Sequence, residues 1–287
     1  MNSSKVLSRT QLKAVLQTIK KLYPPQYADS AWDNTGLLID CSVESLNSTK
    51  PKIMLTVDLT SSVAQEAIDK GCNVILTYHP FIFPHWKKLD PWDNSQHQSA
   101  IKLIQNSISV YSPHTAVDAA NIGVNNWLAY SLVAEHSIIE SITAIERVSP
   151  VQGEQEHEVG YGRLVKLKQP LPLATIIQQV KKSLNIPHLQ VATKNTLDSH
   201  MIQSVALCAG SGSSVFKHLK EPVDLYYTGE LSHHEILRYR EDGKAVILCN
   251  HSNTERAYLK DTMYHLLTTH SIECEISDTD VDPLYIV

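Results

Sequence analysis

Segments with the signature of buried strands alternate with segments of helical periodicity along most of this chain, and that alternation constrains the fold more than any single motif. Residues 52–57 read as a strand, 62–70 as a helix and 72–77 as a second strand. Residues 96–106 read as a helix with Ala100, Ile101 and Ile104 inward, followed by a strand over 108–112. A parallel neighbour needs a crossover and a helix supplies one, so this succession builds a largely parallel sheet with helices on its faces. The pattern resumes later, with strands near 161–167, 203–207, 224–227, 245–249 and 272–276, and a helix marked by Leu173, Ile176, Ile177, Val180 and Leu184. The acidic stretch 134–155, with Pro150, Gly153 and Glu154, reads as a connector or an exposed hairpin.

One internal likeness points to two related lobes. Shifted by 172 residues, 55–80 lies over 227–252 without a gap. Thr56, Leu59, Gly71, Val74, Ile75, Leu76 and His79 then meet identical residues, Thr228, Leu231, Gly243, Val246, Ile247, Leu248 and His251, while Asp58 meets Glu230. Each copy delivers a histidine from the end of the equivalent strand. The expected division is a first lobe from residues 1–130 plus 240–287 and a second from 131–239.

Composition narrows the function classes. Apolar residues at 43% can bury a substantial core, and a net charge of -5 gives no electrostatic reason to expect nucleic acid or an acidic membrane as partner. No apolar run is long enough to span a bilayer. Five scattered cysteines without a CxxC pair fit reduced, buried thiols in an intracellular protein. Up to residue 28 the chain has five basic residues and no acidic one, with Ser3, Ser4, Ser8 and Thr10 among them. That bias fits a mitochondrial presequence. It fits equally a docked helix with Leu12, Val15, Leu16, Ile19 and Leu22 on one face, stopped by Pro24-Pro25. The compartment stays open between cytoplasm and mitochondrion, and the nucleus is compatible.

Ligands in α/β folds gather beyond the carboxyl ends of parallel strands. Three segments put metal-ligand residue types there: Tyr78-His79-Pro80, Pro113-His114 running to Asp118, and Asn250-His251 running to Glu255. His114 and Asp118, like His251 and Glu255, are four residues apart, one helical turn if the chain is helical. Imidazole and carboxylate together suit Zn, Mn or Fe, and donors in this number suit two ions.

The same segments carry a family likeness. Trp32-Asp33-Asn34-Thr35-Gly36-Leu37, Tyr78-His79-Pro80-Phe81-Ile82-Phe83, Tyr111-Ser112-Pro113-His114-Thr115-Ala116-Val117-Asp118, Tyr227-Thr228-Gly229-Glu230-Leu231-Ser232-His233-His234 and His251-Ser252-Asn253-Thr254-Glu255-Arg256 resemble the Nif-three family, also described as GTP cyclohydrolase I type 2 homologues. The likeness is to its short eukaryotic form. The resemblance implies two interlinked α/β lobes with mainly parallel sheets flanked by helices, a dinuclear metal site in the cleft between them, and a homo-oligomer, a hexamer first and a dimer second. The family's metal ligands fall on His79, Asp118, His251 and Glu255. Tyr78 stands where many bacterial members have histidine, and a neutral phenol is a poor ligand. Either the second ion binds weakly or Tyr78 donates from behind the ligands. His114 and His234 complete the candidates for catalytic or supporting roles.

Other features have plainer readings. Gly210-Ser-Gly-Ser-Ser214 could cradle a phosphate, but a tight strand-to-helix turn accounts for it. His85 and His97 read as surface residues flanking an aromatic loop over 81–92 that could lid the cleft, and Asp33-Asn34 as a turn, with a cleft position also open. The expected function is metal-dependent hydrolysis of a small polar or phosphorylated, nucleotide-like molecule. The alternative is a non-catalytic metal-binding adaptor with protein partners, possible in transcription.

Overall fold

The computed structural model describes residues 6–44, 49–153, 155 and 159–287. Ser3 and Ser4 of the basic N-terminus and Glu154 of the acidic stretch lie outside the described residues. In chain order the strands are β1 (Gly36–Ile39), β2 (Lys52–Thr56), β3 (Val74–Thr77), β4 (Ser109–Ser112), β5 (Ile139–Arg147) and β6 (Gly160–Pro172). They continue as β7 (Gln190–Ala192), β8 (Met201–Ser211), β9 (Leu225–Glu230), β10 (Ala245–Leu248) and β11 (Glu273–Ile276). The chain forms two compact α/β units, residues 1–117 with 259–281 and residues 118–258 with 282–287.

In the first unit the sheet runs β1-β4-β3-β2-β11, parallel throughout except for β1 against β4. Every residue of β3 and β4 is buried, as expected of parallel strands covered on both faces. Met54, Ile75 and Val110 pack with Val63, Ala64 and Ala67 of helix Ser61–Asp69 and with Ala100 and Leu103 of helix Ser95–Gln105. The second of these helices turns differently from the expected one: Leu103 is buried and Ile104 is exposed. Its inward face runs through His97, Ala100 and Leu103, and Ile104 lies about 100° further round the helix. Within the described part of the N-terminal basic stretch, Arg9–Leu22 form a helix that opens on a Ser8–Gln11 capping box, with Leu12, Val15, Leu16 and Ile19 buried.

In the second unit the sheet runs β5-β6-β8-β9-β10-β7. β8, β9 and β10 are parallel, and the flanking pairs β5/β6, β6/β8 and β7/β10 are antiparallel. Of the two readings for the acidic stretch, the hairpin holds: β5 is a nine-residue edge strand paired antiparallel with β6. The division of the chain differs from the expected one. β10 hydrogen-bonds to β9 and β7, so it belongs to the second unit, and helix Val124–Ser131 packs on β8 there. The boundaries therefore fall at 117 and 258 rather than at 130 and 240.

The duplicated element is visible in both units. β2, helix Ser61–Asp69 and β3 correspond to β9, helix His233–Glu241 and β10, and the two helices coincide under the 172-residue shift. Both strand pairs are parallel neighbours. A fully buried Arg163, which nothing in the sequence singled out, ties the second unit together. Its Nε donates to Asn126 Oδ1, Nη1 to the carbonyls of Gly160 and Gly162, and Nη2 to those of Ala119 and Ala120. No described helix is long and apolar enough to cross a membrane.

Candidate metal centre

In the first unit, the parallel strands β2, β3 and β4 end on one edge of the sheet and deliver Asp58, His79 and His114. His79 Nδ1 lies 2.9 Å from Asp58 Oδ1. Asp58 follows directly on Val57, whose N–H donates to Asp280 Oδ2 at 2.7 Å. The antiparallel register of β1 on β4, Gly36 opposite Ser112, carries the residues before β1 to those after β4. Asp33 Oδ1 therefore meets His114 Nδ1 at 2.7 Å, and its other oxygen accepts from the Thr115 hydroxyl and N–H. Burial alone would raise the Asp33 pKa. Hydrogen bonds from His114 and Thr115, with the His114 charge, outweigh it and hold the carboxyl below its ordinary 3.8.

His114 precedes helix Thr115–Ala119 with φ +29°, so no helix runs through both His114 and Asp118. Its ring stands 5.4 Å from that of His79 and 5.9 Å from that of Tyr78, and Tyr78, fully buried, stands 5.3 Å from His79.

In the second unit, β9 ends with Glu230, and the loop after β10 delivers His251. His251 Nδ1 lies 3.0 Å from Glu230 Oε1, and its Nε2 lies 3.4 Å from Glu255 Oε1. Glu255 is buried in helix Asn253–Tyr258. Asp282 holds both neighbours of His251, accepting from Ser252 Oγ at 2.8 Å and from Asn250 Nδ2 at 3.4 Å. The end of β8 comes very close. Gly210 has φ +62°, and a Cβ there would lie 2.7 Å from His251 Nε2 and 2.8 Å from Glu255 Oε1. Thr254 Oγ1 accepts from the Gly210 N–H, and Thr228 Oγ1 donates to the Gly210 carbonyl. Gly210 thus sets backbone rather than a side chain against the donor atoms. Gly229 serves the same end, since a Cβ there would lie 2.5 Å from the Gly210 carbonyl oxygen. Asp118 is half-buried, its carbonyl accepting from Asn125 Nδ2. Cys208 is buried, and burial, with the Asp118 and Glu255 carboxylates, pushes its thiol well above the ordinary value.

A family model for Duf34/NIF3 (NGG1p interacting factor 3) matches residues 10–283. The chain belongs to the DUF34/NIF3 family. NGG1-interacting factor 3 of Saccharomyces cerevisiae is 52% identical over 98% of this chain and 99% of its own. The NIF3 homologue of Schizosaccharomyces pombe is 43% identical over the same shares. Among solved structures, a Staphylococcus aureus hypothetical protein superposes with a TM-score of 0.78 at 24% identity, covering 96% of this chain and 99% of that one. The last likeness bears on the fold alone.

Within the second unit of this NIF3 chain, His251 and Glu255 bring together an imidazole and a carboxylate, donors suited to a metal ion. His234 is exposed in the first turn of helix His233–Glu241, its ring 5.4 Å from that of His233. The phosphate-cradle reading of 210–214 gives way to the tight turn: Ser213 Oγ donates to Glu235, whose carboxylate also caps the helix through Ser232. His97 is buried against Trp86 and accepts from the Asp90 N–H, contrary to the surface position expected. Two open cavities of the second unit, about 450 and 280 Å³, lie along β5 and are lined by none of the candidate ligands. Gly210 and the pairing of Asp58 and Glu230 with the histidines escaped the sequence reading of the site. The signal for the last was present, since the 172-residue shift lays Asp58 on Glu230 and His79 on His251.

Proposed function

We propose that this NIF3-family protein binds two divalent metal ions, Zn, Mn or Fe, through His79, Asp118, His251 and Glu255, and hydrolyses a small phosphorylated or nucleotide-like molecule. The observation that carries the reading is the His251–Glu255 pair, 3.4 Å apart, with the Gly210 backbone close beside its donor atoms. Bound ions would supply positive charge to polarise a phosphoryl or carbonyl oxygen and to activate water. The protein's own groups supply the rest. Asp33, accepting from His114 Nδ1, leaves Nε2 of that ring to accept or return a proton, the arrangement of an oriented general base. Tyr78, packed on both His79 and His114, supports the rings rather than ligating. His234 is available to a substrate from the surface.

The test is a screen of nucleotides and phosphoesters against the zinc- and manganese-loaded protein. The expected result is turnover that Glu255→Ala and the closer mimic Glu255→Gln abolish. A second reading follows from the yeast relative, which is named for interaction with NGG1. On that reading the protein is a metal-binding adaptor. Absence of turnover, together with equal binding of a partner protein by wild type and Glu255→Gln, would replace the hydrolase reading with it. The expected assembly is a homo-oligomer, hexamer before dimer, in the cytoplasm or mitochondrion, and sedimentation equilibrium giving a monomer would refute the first.

A further inference from the structure

The two units make the same hydrogen bond with different residues. In one, the carboxylate at the end of β2 meets the imidazole after β3, Asp58 Oδ1 to His79 Nδ1 at 2.9 Å. In the other, the carboxylate at the end of β9 meets the imidazole after β10, Glu230 Oε1 to His251 Nδ1 at 3.0 Å. In each case the strands are adjacent and parallel, so their carboxyl ends lie about 4.8 Å apart. A residue just past one strand is therefore placed beside a residue just past the next. All four side chains occupy equivalent positions of the duplicated segment.

We propose that Asp58 and Glu230 are positioning residues that lock His79 and His251 into the tautomer protonated on Nδ1, so that each ring presents the Nε2 lone pair to the ion. This rests on the metal-binding reading above. The physical reason is that a neutral imidazole has one proton for two nitrogens. A carboxylate on Nδ1 draws the proton there, fixes the ring's rotation and raises the basicity of Nε2. Nε2 of His251 is the nitrogen that faces Glu255, so in the second unit the ring is turned the way the proposal requires.

The alternative, a pair of ordinary surface ion pairs, fits the surroundings less well. The segment carrying Asp58 is pinned by the Val57 N–H on Asp280 and by Thr56 Oγ1 donating to the Asp58 carbonyl at 2.9 Å. The loop carrying His251 is pinned on both sides by Asp282. The two copies are not equal, however. The Asp58 and His79 side chains are 39% and 22% exposed, whereas those of Glu230 and His251 are 57% and 40% exposed. Glu230 also has one more rotatable bond than Asp58. Asp58 is therefore the stronger positioning residue of the two.

The experiment titrates the full-length apoprotein with Zn2+ alone against a chromophoric chelator, in wild type, Asp58→Ala, Glu230→Ala, Asp58→Asn and Glu230→Gln. Nitrogen NMR of the zinc-loaded proteins reports which ring nitrogen carries the proton. Loss of the accepting oxygen in the alanine variants should weaken zinc affinity about 10- to 100-fold, toward the upper end at Asp58 and the lower at Glu230. The Tm of each apoprotein should stay within a few degrees of wild type. Asn and Gln keep an oxygen to accept from Nδ1–H, so they should recover most of the affinity, and the tautomer should lose its uniformity only in the alanine variants. A merely structural role would lower the apo Tm without moving the tautomer. Wild-type zinc affinity and an unchanged tautomer in both alanine variants would overturn the proposal. His79→Ala separates the two levels. If it abolishes zinc binding while Asp58→Ala changes nothing, the positioning role alone fails. If it leaves zinc binding intact, the metal-site reading fails and the proposal with it.

Discussion

Replacing Gly210 by alanine would put a methyl carbon 2.7 Å from His251 Nε2 and 2.8 Å from Glu255 Oε1. Two separable costs follow. The backbone at φ +62° is left-handed, which costs a non-glycine residue roughly 1–2 kcal/mol whatever the space around it. The methyl group must also push the ring and the carboxylate back by several tenths of an ångström to reach ordinary contact distance. Metal sites tolerate departures of only about 0.2 Å, so the ion should bind at least about tenfold more weakly. By linkage, an ion at a thousand times its Kd adds about 4.1 kcal/mol to the folded state, and each tenfold loss of affinity removes about 1.4 kcal/mol of it. Urea unfolding of apo and zinc-saturated protein measures both costs. The apo form of Gly210→Ala should lose about 1–2 kcal/mol, and the stabilisation by zinc should shrink by about 1.4 kcal/mol or more. A variant that pays the backbone cost yet keeps the full zinc increment would show that His251 Nε2 and Glu255 Oε1 do not hold the ion.

Arg163→Met should destabilise the protein by at least about 3 kcal/mol, because the carbonyls of Gly160, Gly162, Ala119 and Ala120 lose their donor without gaining water. A change in urea midpoint equivalent to less than about 1 kcal/mol would contradict the role assigned to it. Burial would raise the pKa of Glu66, but hydrogen bonds from Asp278, Lys70, Ser277 and Thr279 outweigh it and draw the carboxyl down to about 2. Its stabilisation is therefore fully present above the unfolded value near 4.5 and is lost as pH falls toward 2. The stability gap between wild type and Glu66→Gln should close over that window, and a gap independent of pH would refute it. Tyr78→His should tighten the more weakly held ion in a zinc titration, and unchanged affinities would place Tyr78 outside the metal's reach.

What could be read along the chain was whatever depends on near neighbours. Helix Arg9–Leu22 follows from apolar residues at intervals of three and four and from the Ser8 cap. The meeting of His251 with Glu255 spans four residues. The duplicated strand–helix–strand survives as identities at a constant shift because both copies obey the same local periodicities. Tertiary structure decided what joins distant segments. Asp33 and His114 are 81 residues apart and meet only because β1 pairs antiparallel with β4, Gly36 opposite Ser112. Arg163 looks like any surface arginine until its neighbours surround it with carbonyls. The boundaries at 117 and 258 follow from β10 joining β9 and β7, a pairing no run of residues announces. Local periodicity is set by the geometry of one element, and the chain carries it in every few residues. Strand order and register are set by the burial of whole faces against one another, and that free energy belongs to no single segment.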